Sequence, residues 1–221
     1  MPYLVQEAPD CLVIDTSEAV TPELALRLAQ TNLLGLSIQG VGQYVGLHDG
    51  NGPNDITPER LRGILDAGLG LFLIQHCFNP GWHASGELGE ELGTNARRNA
   101  QLVGYGEGAV LVPDLEGCAS VGQPVIDFCN AWVDQVKAVF TPLLYVGFSC
   151  GLSAEQLYDA LPDVHAYGSD VGPREVATRG FVWKQHPETT LHLGTAGDLR
   201  VDPGTLRADA LGGRMRWMIA A

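Results

Sequence analysis

Two tripeptides, Thr21-Pro22-Glu23 and Thr57-Pro58-Glu59, constrain this chain more than any other feature. Each supplies an N-cap hydroxyl, a proline at the first helical position where its missing N–H costs nothing, and an acid in the first turn. Each also follows an extended apolar stretch: Cys11–Asp15 (CLVID) before the first, residues 34–38 and 43–45 before the second. The strand-then-capped-helix unit continues along the chain. Residues 69–75 (LGLFLIQ) form a continuous apolar strand of the kind buried on both faces, and 84–103 a long amphipathic helix. Residues 109–115 (AVLVPDL) are a strand, and 123–140 a helix with Ile126, Cys129, Val133, Val136 and Phe140 on one stripe. A strand over 143–146 precedes a helix over 153–161, which Ser153 and Gln156 open as a capping box. Shorter strands at 164–168, 181–184 and 199–201 close the series.

Strands alternating with helices predict an α/β fold with parallel strands, because each helical crossover returns the chain to the same end of the sheet. Periodicity leaves two solutions, a closed TIM-type (β/α)8 barrel and an open doubly wound sheet. A length of 221 residues suits one domain spanning 1–221. Asp170, Pro173 and Arg174 break the pattern, so one unit near 168–180 is expected to be degenerate.

Composition narrows the function. Acids outnumber Lys and Arg by 26 to 13, a formal charge of −13 that repels phosphate backbones and anionic lipid, so no nucleic-acid partner is expected. No apolar run approaches the length of a bilayer span. Glu7 and Asp10 stand where the apolar core of a Sec signal would lie, so no such signal is expected, and any export would use another route. Five cysteines without a C-x-x-C pair suggest reduced, packed thiols.

In α/β folds of this kind the working residues lie just past the C-terminal ends of strands. Those ends read Asp15, Tyr44, Gln75 with His76, Asp114 with Glu116, Tyr145, Asp170, Gln185 and Asp202. Asp114-Leu115-Glu116 is the sharpest of them. Residues i and i+2 of a strand face one side, so two carboxylates would converge on one cleft while Leu115 points into the core. Like charges that close push one pKa up and leave the other low, supplying an acid and an anion at one pH. Trp183, beside Gln185, is the tryptophan best placed for the cleft, whereas Trp132 falls on a helix stripe and reads as core.

Gly147-Phe148-Ser149-Cys150-Gly151 satisfies G-x-S-x-G after a strand, and Asp170 with His186 or His192 would complete a serine-hydrolase triad in order. Leu152-Ser153 instead inserts a fresh N-cap, and no oxyanion-loop motif is present, so a Gly-rich turn is the simpler reading. His76, Cys77 and His83 cluster near one strand end, but their spacing matches no common zinc signature, and no metal is expected. With neither G-x-G-x-x-G nor a P-loop, no nucleotide cofactor is expected.

CLVIDT (11–16), Gln43-Tyr44-Val45, ITPERLRGILDAGLGLFLIQ (56–75), VPDLE (112–116), LYVG (144–147), Trp183-Lys184-Gln185 and Val201-Asp202 together resemble the Rv2525c-like, glycoside-hydrolase-like family, itself similar to the family 25 lysozymes. The resemblance spans about residues 12–213 and implies a TIM-type barrel acting on peptidoglycan or a related aminosugar glycan at the cell wall or outside the cell. It places Asp15, Asp114, Glu116 and Asp202 in the acidic cleft. Glu116 would be the proton donor, and Asp114 its partner stabilising an oxocarbenium-like or oxazolinium intermediate. Tyr44, Gln75, Tyr145, Asp170, Trp183 and Gln185 would line the substrate site. Two blocks depart from the lysozyme pattern: Ile14-Asp15-Thr16 replaces G-x-D, and Trp183-Lys184-Gln185 replaces the aromatic W-Q-Y tract. A barrel that binds glycan without cutting it is therefore the alternative.

Overall fold

The computed structural model describes residues 3–169 and 176–221. Its strands are β1 (Tyr3–Glu7), β2 (Cys11–Asp15), β3 (Asn32–Leu33), β4 (Leu36–Val45), β5 (Gly70–Gln75), β6 (Val110–Leu115), β7 (Thr141–Val146), β8 (Ala166–Ser169), β9 (Trp183–Gln185), β10 (Thr189–His192), β11 (Asp198–Leu206) and β12 (Arg216–Ala220). The α-helices are α1 (Pro22–Leu28), α2 (Pro58–Asp66), α3 (Gly86–Leu102), α4 (Gln123–Val136) and α5 (Ala154–Asp159).

Local chemistry sets the helix starts. Thr21 and Thr57 accept hydrogen bonds from the backbone N–H of Leu24 and Arg60, each with proline at the first turn. Ser153 and Gln156 form the complete capping box that opens α5.

Eight strands close on themselves in the order β2-β4-β5-β6-β7-β8-β9-β11, which makes the fold a TIM-type barrel and excludes the open sheet. From β2 through β9 every neighbour is parallel. The closing strand β11 is antiparallel to both β9 and β2. It follows the β10 hairpin rather than a crossover helix, so it runs from the mouth of the barrel towards the floor. Between β8 and β9, the described residues 176–182 carry a turn at 177–179 and no helix; Asp170, Pro173 and Arg174, on which the expected break in the pattern falls, lie outside the described residues.

Alternation sorts each strand into two faces. Leu12, Ile14, Val41, Leu71, Leu73, Leu111, Leu115 and Leu144 pack outward against the helices, with Trp132 of α4 fully buried among them. Val13, Phe72, Ile74, Val110, Val112, Leu143, Ala166 and Trp183 fill the barrel. The floor is closed by the terminal strands. β12 pairs with the start of β5 at Leu71, ahead of the point where β6 takes over at Leu73, and β1 pairs along β12. Trp217 then lies against Gly70, where an added Cβ would stand 2.5 Å from its Cδ2.

Candidate functional site

At the opposite end, the same inward faces finish in polar side chains. Tyr44, Asp114, Glu116, Tyr145, Trp183, Gln185 and Asp202 line a cavity of about 90 Å³ with Ile74 on its wall. Asp15 is buried beside them. Along β6 the inward set is Val110, Val112 and Asp114, with Leu115 turned into the helix layer, so Glu116 rises on the wall of Asp114 as i and i+2 require.

The antiparallel closing strand does a separate job. Asp202 is paired directly with Asp15 across β11 and β2, so two acids from opposite ends of the chain stand side by side. The strand expected over 199–201 runs from Asp198 to Leu206, entering from the mouth, so Asp202 lies within it at that end.

A hydrogen-bond chain holds Asp15. Gln185 Nε2 donates to its Oδ2 at 2.8 Å, Tyr145 Oη donates to Gln185 Oε1 at 2.6 Å, and Tyr44 Oη reaches Asp15 Oδ1 at 3.5 Å. Trp183 is fully buried beneath this chain, its ring 5.1 Å from Phe72 and 5.3 Å from Tyr145. Gly168 makes room for it, since a Cβ there would lie 2.6 Å from the indole Cε3. Trp183 is thus the packed floor under the polar groups more than an open stacking face.

Burial, above all, pushes the Asp15 carboxyl well above the usual range, with Asp202 and Glu116 adding to the rise and Gln185 and Tyr44 opposing it. Asp114 is raised likewise, first by burial and then by the charge of Glu116, while the Cys77 thiol opposes the rise. Asp202 is raised by burial and Glu188, against Arg200. Asp15, Asp114 and Asp202 thus each hold their protons above the ordinary carboxylate range, as burial beside other acids requires.

Gln75 does not join this group. Phe72 and Ile74 point inward, so Gln75 points outward, where its amide donates to Leu92 O at 2.9 Å and accepts from Trp132 Nε1 at 2.7 Å. It ties β5 to α3 and α4. Asp170 lies outside the described residues. Ser149 is exposed with φ 51°, and among the described residues no hydrogen bond joins it to a histidine. His192 pairs with Asp198 on the β10–β11 hairpin. The G-x-S-x-G turn serves its neighbours instead: Phe148 and Ser149 accept backbone bonds from Gly117 and Cys118, and a Cβ on Gly147 would lie 2.6 Å from Glu116 Oε2.

Strand phase separates His76 from Gln75, with which it shares a strand end, and brings Cys77 and Trp82 to Glu116. His76, one past Gln75, returns to the mouth and stacks on Tyr44 at 4.5 Å while bonding Asp55 Oδ1 at 2.7 Å. Cys77 Sγ lies 3.7 Å from Glu116 Oε1. Trp82 Nε1 donates to Glu116 O at 2.8 Å, fixing the backbone that carries the acid.

Fold and site together define a TIM-type barrel with a carboxylate-rich mouth of the glycoside-hydrolase-like class. The chain belongs to the Rv2525c-like, glycoside hydrolase-like domain family, whose family model matches residues 33–202. No curated protein matches it in sequence. Among solved structures it is similar to the Tat-secreted protein Rv2525c of Mycobacterium tuberculosis in complex with L-tartrate, at 12% identity and TM-score 0.64 over 92% of this chain and 98% of that one. It is also similar to the modular autolysin LytC of Streptococcus pneumoniae in complex with a synthetic peptidoglycan ligand, at 12% identity and TM-score 0.55 over 89% of this chain and 46% of that one. The catalytic domain of endolysin ply40 from bacteriophage P40 of Listeria monocytogenes follows at 16% identity and TM-score 0.52, over 91% and 95%. No helix among the described residues is long and apolar enough to cross a membrane.

Proposed function

We propose that this protein is a single-domain glycoside hydrolase acting on peptidoglycan or a related aminosugar glycan by carboxylate acid/base catalysis. The observation that carries the reading is the convergence of Asp114 and Glu116 on one wall of a cavity that Asp202 also lines, with Asp15 paired to Asp202. The similarity to LytC, solved with a peptidoglycan ligand, supports the substrate class.

In this reading the Asp114–Glu116 pair keeps one proton that ordinary carboxyls would have lost, because burial and mutual repulsion resist the second charge. Glu116 lies one strand step nearer the opening and delivers that proton to the leaving glycosidic oxygen. Asp114, left anionic as the proton departs, faces the positive charge that develops on the sugar. Asp15 and Asp202 complete the acidic wall of the same centre, while Tyr44, Tyr145 and Gln185 orient Asp15 and offer hydrogen bonds to sugar hydroxyls.

The test is release of reducing ends from purified peptidoglycan between pH 4 and 8 by the wild type, Glu116→Gln and Ser149→Ala. The reading expects turnover by the wild type and Ser149→Ala, and its loss in Glu116→Gln. Equal loss in both variants would transfer the chemistry to the serine. Binding of peptidoglycan without any reducing ends from the wild type would make the barrel a glycan-binding module.

A further inference from the structure

One side of the mouth differs in kind from the rest. The thiol of Cys77 and one oxygen each from Asp114 and Glu116 all lie within 4.8 Å of one another. Neighbouring ligand atoms of a tetrahedral zinc site stand roughly 3.3–3.8 Å apart, as bond lengths of roughly 2.0–2.3 Å dictate. Cys77 Sγ and Glu116 Oε1, at 3.7 Å, already meet that spacing. A second observation points to a ligand: Asp114 Oδ1 is buried and has no hydrogen-bond partner among the described residues. Asp114 itself is partly buried on the cavity wall, so this oxygen stands beside a thiol and a second carboxylate.

We propose that Cys77, Asp114 and Glu116 form a binding site for one divalent cation of zinc type, with a water from the adjoining cavity as fourth ligand. A mixed thiolate and carboxylate set selects zinc over magnesium and calcium, which take all-oxygen shells. The ligands come from the β5–α3 loop, from β6 and from the residue that follows it, so the site is built on the barrel rim. His76 stays outside the set because its Nε2 is engaged by Asp55 and its ring lies on Tyr44. Binding breaks the S–H bond of Cys77, the proton leaving to solvent together with any proton shared by the acid pair, and forms a sulfur–metal bond with no change of oxidation state. The cation also replaces the shared proton as the counter-charge of the acids. In the hydrolase reading, on which this last consequence rests, the ion occupies the acid Glu116 and silences turnover.

Calorimetric titration of metal-free protein with Zn2+, in two buffers of different ionisation heat, tests the site without needing turnover. One ion per chain with proton release is expected, with Mg2+ and Ca2+ giving no competing signal. Cys77→Ser and Asp114→Asn should each weaken zinc binding by about tenfold or more, on the scale of altered metal-site shells, while keeping the wild-type circular dichroism. Co2+ in place of zinc should produce a thiolate-to-cobalt charge-transfer band that is absent from Cys77→Ser. His192→Ala removes the exposed His192–Asp198 pair and should leave the titration unchanged. Failure of the wild type to bind zinc, undiminished affinity in folded Cys77→Ser, or survival of the cobalt band there would each overturn the site. None of these results depends on whether the barrel cuts glycan.

Discussion

The floor and the mouth of this barrel are built from the same strands and solve opposite problems. At the floor, Trp217 from β12 fills the interior against Gly70, and the inward residues near it, Val13, Phe72, Val110 and Leu143, are all apolar. At the mouth, the inward stripes end in Asp15, Tyr44, Asp114, Tyr145 and Gln185. One end removes apolar surface from water, while the other removes carboxyls from water and raises them. The difference teaches that a single inward stripe per strand is enough to hold both a stabilising plug and a destabilised acid centre, separated by a few residues of pleat.

That contrast can be broken most severely at the floor. Trp217→Ala should cost about 3–5 kcal/mol of stability, the usual range for deleting a buried tryptophan, read as the shift in chemical denaturation. The hydrolysis expected at the mouth should persist in whatever fraction stays folded. The second effect belongs to the mouth alone: Glu116→Gln should lower reducing-end release by about 100-fold or more, while the denaturation midpoint moves little. Large stability loss in Glu116→Gln would erase the division between the two ends.

Smaller changes sharpen it. Gly70→Ala places a methyl group against the Trp217 ring and should cost about 1–3 kcal/mol as overpacking does, again by denaturation and without a change in the pH profile of activity. At the mouth, Asp114 has a folded-state pKa above its unfolded one. Its contribution to stability is therefore full below about pH 4, near the unfolded value, and is lost as pH rises towards the folded value. Asp114→Asn lacks that loss, so its stability relative to the wild type should improve steadily from pH 4 upward. Parallel curves for the two proteins would mean that the Asp114 carboxyl ionises as freely folded as unfolded. Asp55, whose burial is outweighed by hydrogen bonds from His76 and Gly52 and by the nearby charges of His76 and Arg60, so that its pKa is lowered, bends the curve of both proteins the opposite way and cancels in the comparison.

Much of this was legible in the chain itself. The Thr-Pro-Glu caps, the Ser153–Gln156 box and the alternation that turns Asp114 and Glu116 to one side with Leu115 to the other are contacts between near neighbours, so propensity and period suffice to read them. Phase was legible too, although listing strand ends misses it: Phe72 and Ile74 send Gln75 to the helices and His76 to the mouth. Closure of the barrel, by contrast, depends on hydrogen bonds between β2 and a strand some 190 residues later in the chain. No local pattern states that β11 runs antiparallel, that Asp202 therefore faces Asp15, or that β12 returns to plug the floor with Trp217. The meeting of Cys77 with Asp114 and Glu116 across nearly forty residues is of the same kind. Local chemistry determined which side chains face inward, and only the long-range pairing of strands, which no short window of sequence encodes, decided which of those side chains meet.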